Sequence, residues 1–358
     1  LWNIGWQAEA DDGSLGMLTL PARLTSNQIA IQHTLPDFLP QNQYLFIKTS
    51  YQRISVSVGG VQADVIGLPS DSAHAMQFDL PWSAILLTPD MAGQTIRITF
   101  QGMGSKYFTE VYATRLGYMP QIRLELLNST QLAIIINVLL ILFSLILYGF
   151  AFLEAHHRHD RLSGGYYYLV LFIILCGVWF YADSNITGVY YIGSYPFFLL
   201  SLFCFLLMPI PFISFAQKGF PRFAPIGKRF NFLFMLNALV QAVLLVTGNF
   251  TLWLSLLITN ALSLVAMATL AYHALTQREK GSMRNEMRIG VLVTAISVLL
   301  SIFLCYLYPL ESSAALFRYA VIFLVFTLTI SVLRSKADIL MQAKSIEQLR
   351  IHEEEYRI

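Results

Sequence analysis

The chain has 358 residues, of which 56% are hydrophobic and only 12% are charged, and its formal net charge is +2. A soluble domain usually carries about 25% charged residues, so this composition excludes an ordinary soluble globular protein. The small net charge gives no basis for a nucleic-acid partner. Charge is scarce in residues 132–333, where apolar runs of roughly 20 residues recur, each long enough to cross a bilayer core of about 30 Å. We therefore predict an integral membrane protein.

Short alternating stretches in residues 1–130 predict β-strands. In ISVSVGGVQADVIG, apolar residues alternate with polar ones on both sides of Gly59-Gly60, which is typical of a hairpin. TIRITF, at 95–100, alternates in the same way, and the fuller apolar run YLFIK, at 44–48, favours a central strand. Short strands separated by turns over about 130 residues predict one β-sandwich domain.

Seven apolar segments follow the predicted strands. They cover residues 132–153, 166–182, 194–215, 230–247, 252–275, 289–308 and 315–333. Ten Lys and Arg residues lie in alternate loops between these segments, whereas none lies in the other three loops, at 183–193, 248–251 and 309–314. Positively charged loops stay cytoplasmic, so the β-sandwich is expected to be extracytoplasmic and the C-terminus cytoplasmic.

These patterns divide the chain into three regions. Residues 1–130 are predicted to form an extracytoplasmic β-sandwich, and residues 131–334 a seven-helix transmembrane bundle. Residues 335–358 are predicted to form a cytoplasmic juxtamembrane helix. An odd number of crossings places the two ends of the chain on opposite sides of the membrane, as signal transmission requires.

The helix after the last apolar segment has a weak seven-residue repeat. Beyond Arg334, the seam carries apolar residues at Ile339, Ile346 and Leu349, but Gln342 lies in the same seam. Two such helices in parallel can hold two registers of similar energy, which predicts signal transmission through a homodimer. The alternative is a helix that only leaves the bilayer.

Two stretches carry a family resemblance. WFYADSNITG, at 179–188, and FLLSLFCFLLMPIPFISF, at 198–215, resemble the bacterial seven-transmembrane receptors with diverse intracellular signalling modules. The resemblance implies a jelly-roll-like ectodomain and a location in the bacterial inner (plasma) membrane. The terminal EEEYRI is similar to the segment that leads into a PAS domain, which in such receptors often precedes a diguanylate cyclase. That similarity implies a cytoplasmic output module beyond Ile358.

Arg318 is the one basic side chain within an apolar segment, in the predicted first turn of helix seven. One interpretation is an outward-facing pocket in which Arg318 binds an anionic group or pairs with an acidic one. The equally supported alternative is an Arg that extends to the headgroup level. The candidate ligand-binding residues are those that the sequence places at this end of the bundle: Arg318, Asp183, Glu311, Trp179, Tyr190 and Tyr191.

Other polar and aromatic residues have simpler interpretations. Asn137, Asn237, Gln241 and Asn260 are predicted to hydrogen-bond between helices. Pro209 and Pro211 are predicted to break helix three near its end, and a hinge is the alternative. The three histidines of HHRHD, at 156–160, are attributed to a solvated loop rather than a metal site. A sugar-binding face on the sandwich is a minority interpretation of a further set, namely Trp2, Trp6, Trp82, Tyr51, Arg53 and His74.

The sequence therefore predicts a receptor for an extracytoplasmic small molecule or carbohydrate, embedded in the lipid bilayer. No cofactor, metal site or catalytic arrangement is expected within these residues. A membrane transporter or channel with a β-sandwich binding domain is the alternative, although its paired broken helices are not evident. An adhesion module on an inert anchor is a third possibility, and it leaves seven helices unexplained.

The predicted orientation is tested by digestion of intact cells. Protease added from outside should remove residues 1–130 and leave the C-terminal helix intact, because only the first region faces the exterior. Immunoblots against tags at the two ends measure this, with permeabilised cells as the control. Loss of the C-terminal tag alone would contradict the orientation.

Overall fold

The structure is a computed structural model that describes residues 2–24, 28–49, 53–63, 65–66, 82–101, 109–157, 163–182, 195–250, 252–276, 285–307, 316–327 and 330. An antiparallel β region occupies the first part of the chain. In the described residues after Tyr118, the regular elements are all helices. The predicted order of a β region and then helices is therefore correct.

The β region consists of two antiparallel sheets. Its strands are β1 Trp6–Ala10, β2 Leu15–Leu18, β3 Ala22–Leu24, β4 Gln28–Thr34, β5 Gln43–Thr49, β6 Arg53–Val58, β7 Val61–Gln62, β8 Val65–Ile66, β9 Trp82–Leu87, β10 Thr95–Gln101 and β11 Thr109–Tyr118. Sheet A has the order β2-β1-β4-β10-β6-β7 and sheet B the order β3-β11-β5-β9-β8. From β3 onwards the chain passes repeatedly from one sheet to the other, so most neighbouring strands are distant in sequence.

The two sheets pack on a shared hydrophobic core. Sheet A contributes Ile31 and Ile98, and sheet B contributes Leu45 and Ile85, all with no exposed surface. Side chains of a strand point alternately to its two faces, so the alternating apolar residues of β6 and β10 supply one side of this core. The period-two pattern of β6 and β10 is thus explained by strands that bury one face in the sandwich core.

The hairpin predicted at Gly59-Gly60 is present. Val58 of β6 is paired with Val61 of β7, and both glycines have positive φ angles, of 56° and 86°. Two positive φ angles match the two-residue turn that suits the twist of a hairpin. The second half of the pattern is not one strand, however, because β7 ends at Gln62 and Val65 pairs with β9 in sheet B.

β5 is covered on both faces. Leu45 and Ile47 face the sandwich core, whereas Phe46 faces the opposite side and packs against Ile122 and Leu126 of the first helix. Ala84 of β9 lies in the same second cluster. The uninterrupted apolar run predicted a central strand, and β5 is the central strand of sheet B. Its residues are apolar on both faces because α1, rather than solvent, covers the outer face of the sheet.

The helical part contains α1 Met119–His157, α2 Ser163–Ala182, α3 Tyr195–Leu207, α4 Pro209–Gly219, α5 Ala224–Val246, α6 Leu252–Thr276, α7 Asn285–Leu307 and α8 Leu316–Thr327. Among the described residues, four spans are long and apolar enough to cross a membrane: Met119–Ile146, Leu199–Gly219, Ala224–Val246 and Leu254–Thr276. Three shorter apolar helices accompany them: Tyr167–Ala182, Arg288–Leu304 and Leu316–Thr327. These helices are compatible with a multi-pass membrane protein.

Several helix faces remain apolar and exposed. Leu139 of α1, Phe232 of α5 and Phe303 of α7 each expose more than half of their surface. A water-soluble monomer rarely shows contiguous apolar patches of this kind, whereas lipid covers them without cost. The exposed faces agree with the hydropathy of the spans.

The predicted third helix is interrupted where its prolines lie. α3 ends at Leu207 and α4 begins at Pro209, with Met208 between them in a right-handed helical conformation. Proline lacks the N–H that the helical ladder needs, so the break falls at the predicted position. Because Met208 is itself helical, the chain continues onward, and Leu199–Gly219 forms one apolar span.

α1 begins thirteen residues before its predicted apolar segment. It starts directly after the last residue of β11, with no loop between Tyr118 and Met119. Pro120 lies in the first turn, where its missing N–H is not needed. Ile122 and Leu126 bury the first two turns against sheet B, and Leu140 packs among the helices. One helix therefore belongs to both parts of the protein.

The contact between α1 and sheet B predicts unequal effects of two identical substitutions. Leu126 is 1% exposed and Leu124 is 59% exposed. Leu126→Ala should destabilise the protein by about 3 kcal/mol because it leaves a cavity, whereas Leu124→Ala should change stability by less than about 0.5 kcal/mol. Chemical denaturation of the purified protein in nanodiscs measures both. Equal effects would show that α1 does not pack on the sheet.

Candidate functional site at the end of the helices nearest the β region

α1 and α2 run in opposite directions, because Tyr148 of α1 lies beside Tyr167 of α2 whereas Asn137 and Ile141 lie beside Gly177. α1 leaves the β region, so α2 returns towards it, and the contact between Arg318 and Phe180 places the start of α8 at the same end as the C-terminus of α2. We call this the β-proximal end. Trp179 and Phe180 belong to the last turn of α2, and Phe317 and Arg318 to the first turn of α8.

Arg318 lies against the end of α2. Its Cζ atom is 5.1 Å from the centroid of the Phe180 ring, which is within the range of a cation–π contact. Phe180 is buried, and Arg318 is partly buried. The aromatic face attracts the guanidinium and removes part of its water, so the positive charge is held at a fixed place in the first turn of α8.

An aromatic cluster surrounds this contact. The Phe317 ring lies 5.7 Å from Phe180, 6.1 Å from Trp179 and 6.4 Å from Phe172, measured between centroids. Trp179 also lies 5.9 Å from Phe205 of α3. These separations are those of paired aromatic rings, which add to the stabilisation from burial. The cluster joins α2, α3 and α8 next to Arg318.

The structure thus brings two of the predicted site residues together. Trp179 and Arg318 are linked through the neighbouring Phe180 and Phe317. The other predicted residues lie outside the described part of the chain, so their placement stays a prediction: Asp183, Tyr190, Tyr191 and Glu311 for ligand binding, and Arg334, Ile339, Ile346 and Leu349 for signal transmission. Phe317 was not among the predicted residues, because a Phe in an apolar helix gives no signal in the sequence.

One of the predicted interhelical bonds joins α5 to α6, and a second amide of α5 supports it. Nδ2 of Asn237 donates to Oγ1 of Thr259 at 2.9 Å, and Nε2 of Gln241 donates to Oδ1 of Asn237 at 3.3 Å. All three side chains are buried. The predicted interhelical bond is therefore confirmed for Asn237, whereas Gln241 bonds to Asn237 within α5 and supports it from the same helix.

Asn137 of α1 differs from this pattern. It is 1% exposed, and neither its Oδ1 nor its Nδ2 has a hydrogen-bond partner within the described structure. An amide buried without a partner costs about 2–7 kcal/mol relative to water. The predicted interhelical bond of Asn137 is thus not found. The sequence could not indicate this difference, because Asn137 and Asn237 are both asparagines within apolar segments.

α1 and α2 approach each other closely beside Asn137. A Cβ atom on Gly177 would lie 2.6 Å from Cγ1 of Ile141 and 3.8 Å from the backbone oxygen of Asn137. Only glycine allows this approach. Asn137 therefore lies against α2 at a level one turn from Phe180.

The aromatic residues of the β region are mostly structural. Trp6 has no exposed surface, and its Nε1 donates to the backbone oxygen of Trp2 at 2.8 Å. The ring of His33 lies 4.0 Å from that of Trp2 and 5.2 Å from that of Trp6. This cluster closes the edge of the core, which agrees with the core interpretation for Trp6. The placement of Tyr51 and His74, and the side chains of Arg53 and Trp82, lie outside the described residues.

No group of three metal-ligating side chains occurs in the described ranges. Cys176 and Cys204 are both buried and unbonded to other cysteines. The side chains of the HHRHD segment lie outside the described residues, so the choice between a solvated loop and a metal site stays a prediction.

The contact between Asn237 and Thr259 predicts an energetic coupling. A double-mutant cycle of Asn237→Ala and Thr259→Val should give a coupling of about 0.6–1.7 kcal/mol, the range measured for such bonds in membranes. Thr269→Val is the matched control, because the Thr269 hydroxyl bonds only to Val265 in its own helix. Unfolding in mixed micelles measures both cycles. Equal coupling in the two cycles would contradict an interhelical bond.

No protein-family model, curated protein or solved structure matches this chain. The family resemblance carried by the stretches at 179–188 and 198–215 stays a prediction. Two features of the described residues bear on function: the junction of β11 with α1, and the contact of Arg318 with Phe180 at the β-proximal end.

Proposed function

We propose that the protein is a transmembrane receptor that senses an extracytoplasmic small molecule or carbohydrate. The observation that carries this proposal is the direct junction between the β region and α1. β11 is a central strand of sheet B, bonded to both β3 and β5, and α1 follows it without a loop. A displacement of the sheet must therefore move the helix.

Side-chain contacts make this junction stiff. Phe46 and Ala84 bury against Ile122 and Leu126, and Nη1 of Arg115 is 2.9 Å from Oε2 of Glu125. Glu125 is largely exposed, so the ion pair contributes less than about 1 kcal/mol, and the apolar contact provides most of the stabilisation. An inert tether for a binding domain needs no such contact.

The ligand has two candidate positions. One is the sandwich itself, whose strand order supports a jelly-roll fold because β3-β11-β5-β9 and β4-β10-β6-β7 form its two four-stranded halves. The other is the β-proximal end of the bundle, where Arg318 offers a positive charge next to aromatic rings. The ligand must bind one arrangement of the helices better than another, or no signal is transmitted.

The remaining parts of the proposal come from the sequence. The seven spans form a bundle in the bacterial inner membrane, with the β region outside and the C-terminus inside. Helix seven passes the displacement to the helix beyond Arg334, which changes register against the same helix of a second subunit. A cytoplasmic output module, a diguanylate cyclase in the proposed family, responds to that change.

A transporter or channel is the second candidate. The four apolar spans are compatible with it, but the described interior polar groups are mainly small hydroxyl and amide side chains used within the fold, such as Asn237 and Thr259. A transporter also has no need for a β region fixed to one helix. Uptake of radiolabelled ligand into proteoliposomes would favour this candidate over the receptor.

Insertions in the C-terminal helix test the receptor mechanism. In cells that express the protein with its output module, one or two alanines after Gln342 should lock or abolish output, because they rotate the seam away from its partner. Seven alanines restore the seam and should keep output within about twofold of the original. A cyclic di-GMP reporter measures output, and immunoblotting confirms equal protein levels. Output unaffected by all three insertions would refute transmission through helix register.

A further inference from the structure

Exposed positive charge surrounds the short connection between α4 and α5. Lys218 lies in the last turn of α4, Arg222 in the connection, and Lys228 and Arg229 in the second turn of α5, all with exposed side chains. Arg222 takes part in another interaction, so it is set aside. We call the other three residues the basic corner. The sequence offers them no neighbouring negative charge, since residues 184–278 contain neither Asp nor Glu.

Contacts between the helices hold α4 and α5 side by side at this level. Nδ2 of Asn231 on α5 donates to Oγ of Ser214 on α4 at 2.7 Å. A Cβ atom on Gly227 would lie 2.7 Å from a side-chain carbon of α4, so the backbones approach closely. Lys218 follows Ser214 by four residues, and Lys228 precedes Asn231 by three. Each lysine is therefore about one turn beyond the bonded pair, on the same side of its helix and at the same end.

The basic corner lies where two apolar spans end. The span Leu199–Gly219 ends one residue after Lys218, and the span Ala224–Val246 begins four residues before Lys228. Only residues 220–223 connect the two spans. Long basic side chains at the ends of membrane helices extend to the headgroup level. The three charges therefore belong at the membrane surface, whichever leaflet they face.

These charges lack partners within the protein. In the part of the chain that the structure describes, none of the three residues of the basic corner forms an ion pair. α5 begins with no side-chain cap and no acidic residue in its first turn, so the positive end of its dipole is not compensated either. Lys228 and Arg229 place two cations near that end, where cations are disfavoured. An anion at the basic corner would offset both effects.

An exposed apolar surface of α5 continues from the basic corner into the membrane. Phe232 follows Lys228 by four residues. Leu233 and Leu236 follow Arg229 by four and seven residues, so each lies below a cation on the same side of the helix. The exposed fractions of Phe232, Leu233 and Leu236 are 66%, 42% and 44%. A molecule that matches this surface is anionic at one end and apolar along the rest.

We propose that the basic corner binds the headgroup of an anionic phospholipid, with phosphatidylglycerol as the test case, whose acyl chains lie along α5. Ammonium and guanidinium groups donate charge-assisted hydrogen bonds to the phosphate oxygens. Phosphatidylcholine offers the same phosphate, but the positive charge of its choline group opposes binding to three cations. The proposal goes beyond the receptor function and does not depend on it.

Native mass spectrometry of the full chain tests the site. The protein in nonionic detergent is titrated with phosphatidylglycerol and with phosphatidylcholine of the same acyl chains, and the dissociation constant of the first bound lipid is measured. Phosphatidylglycerol should bind at least about tenfold more tightly, because each Lys or Arg near an anionic lipid surface strengthens association by about fivefold.

Substitutions distinguish a local site from the net charge of the protein. Lys228→Gln and Lys218→Gln should each weaken phosphatidylglycerol binding by about fivefold and leave phosphatidylcholine binding unchanged. Lys228→Arg keeps the charge, so binding should stay within about twofold of the unmodified protein. Lys48→Gln is the matched control, because it removes the same charge from β5 and should have no effect. Glutamine at all three positions of the basic corner should abolish the lipid preference, and melting temperatures verify folding.

Several results would overturn the proposal. They are equal affinities of the two lipids for the unmodified protein, a preference that survives the triple substitution, or equal losses from Lys228→Gln and Lys48→Gln. The last result would mean that only net charge matters. Displacement of phosphatidylglycerol by an equal concentration of glycerophosphoglycerol, which is its headgroup without acyl chains, would assign the basic corner to a soluble phosphate ester instead.

Discussion

The burial of Phe46 and Ala84 against Ile122 and Leu126 is the contact on which the rest of the structure depends. It fixes the direction in which α1 leaves the β region. Without such side-chain contacts, the angle between a strand and the helix that directly follows it could vary. All four side chains are at most 2% exposed. Burial of this kind stabilises by about 1.5–3 kcal/mol for each large side chain. The two halves of the chain are therefore one mechanical unit at this point.

A second closely packed region lies along the C-terminal half of α2, which contacts both α1 and α8. Close approach at Gly177, the aromatic rings around Phe317 and the charge of Arg318 occur within two turns of helix. The packing of α1 against α2 requires a glycine at Gly177, because a side chain there would push the two helices apart. The same region contains the unsatisfied amide of Asn137, so it combines precise packing with unused hydrogen-bonding capacity.

The sequence predicts the regular parts of this protein because their causes are local. Alternation around Gly59-Gly60 yields the observed hairpin, and hydropathy locates the helices, since both signals depend on near neighbours. The start of α1 at Met119 could not be found in this way, because hydropathy reports contact with lipid and residues 119–131 bury one face on a sheet instead. Asn137 and Asn237 have the same chemistry in the sequence, and only the positions of neighbouring helices separate a satisfied amide from an orphaned one.

The length of α1 has a geometric consequence. Its 39 residues extend for about 58 Å, and its first two turns are clamped to the sandwich. If α1 stays straight, a rotation of its packed first turns by about 2° would move its other end by about 2 Å. Helix shifts of that size switch other proteins between states. Small rearrangements of the sheet, too slight to alter its hydrogen bonds, are therefore magnified before they reach the far side of the helices.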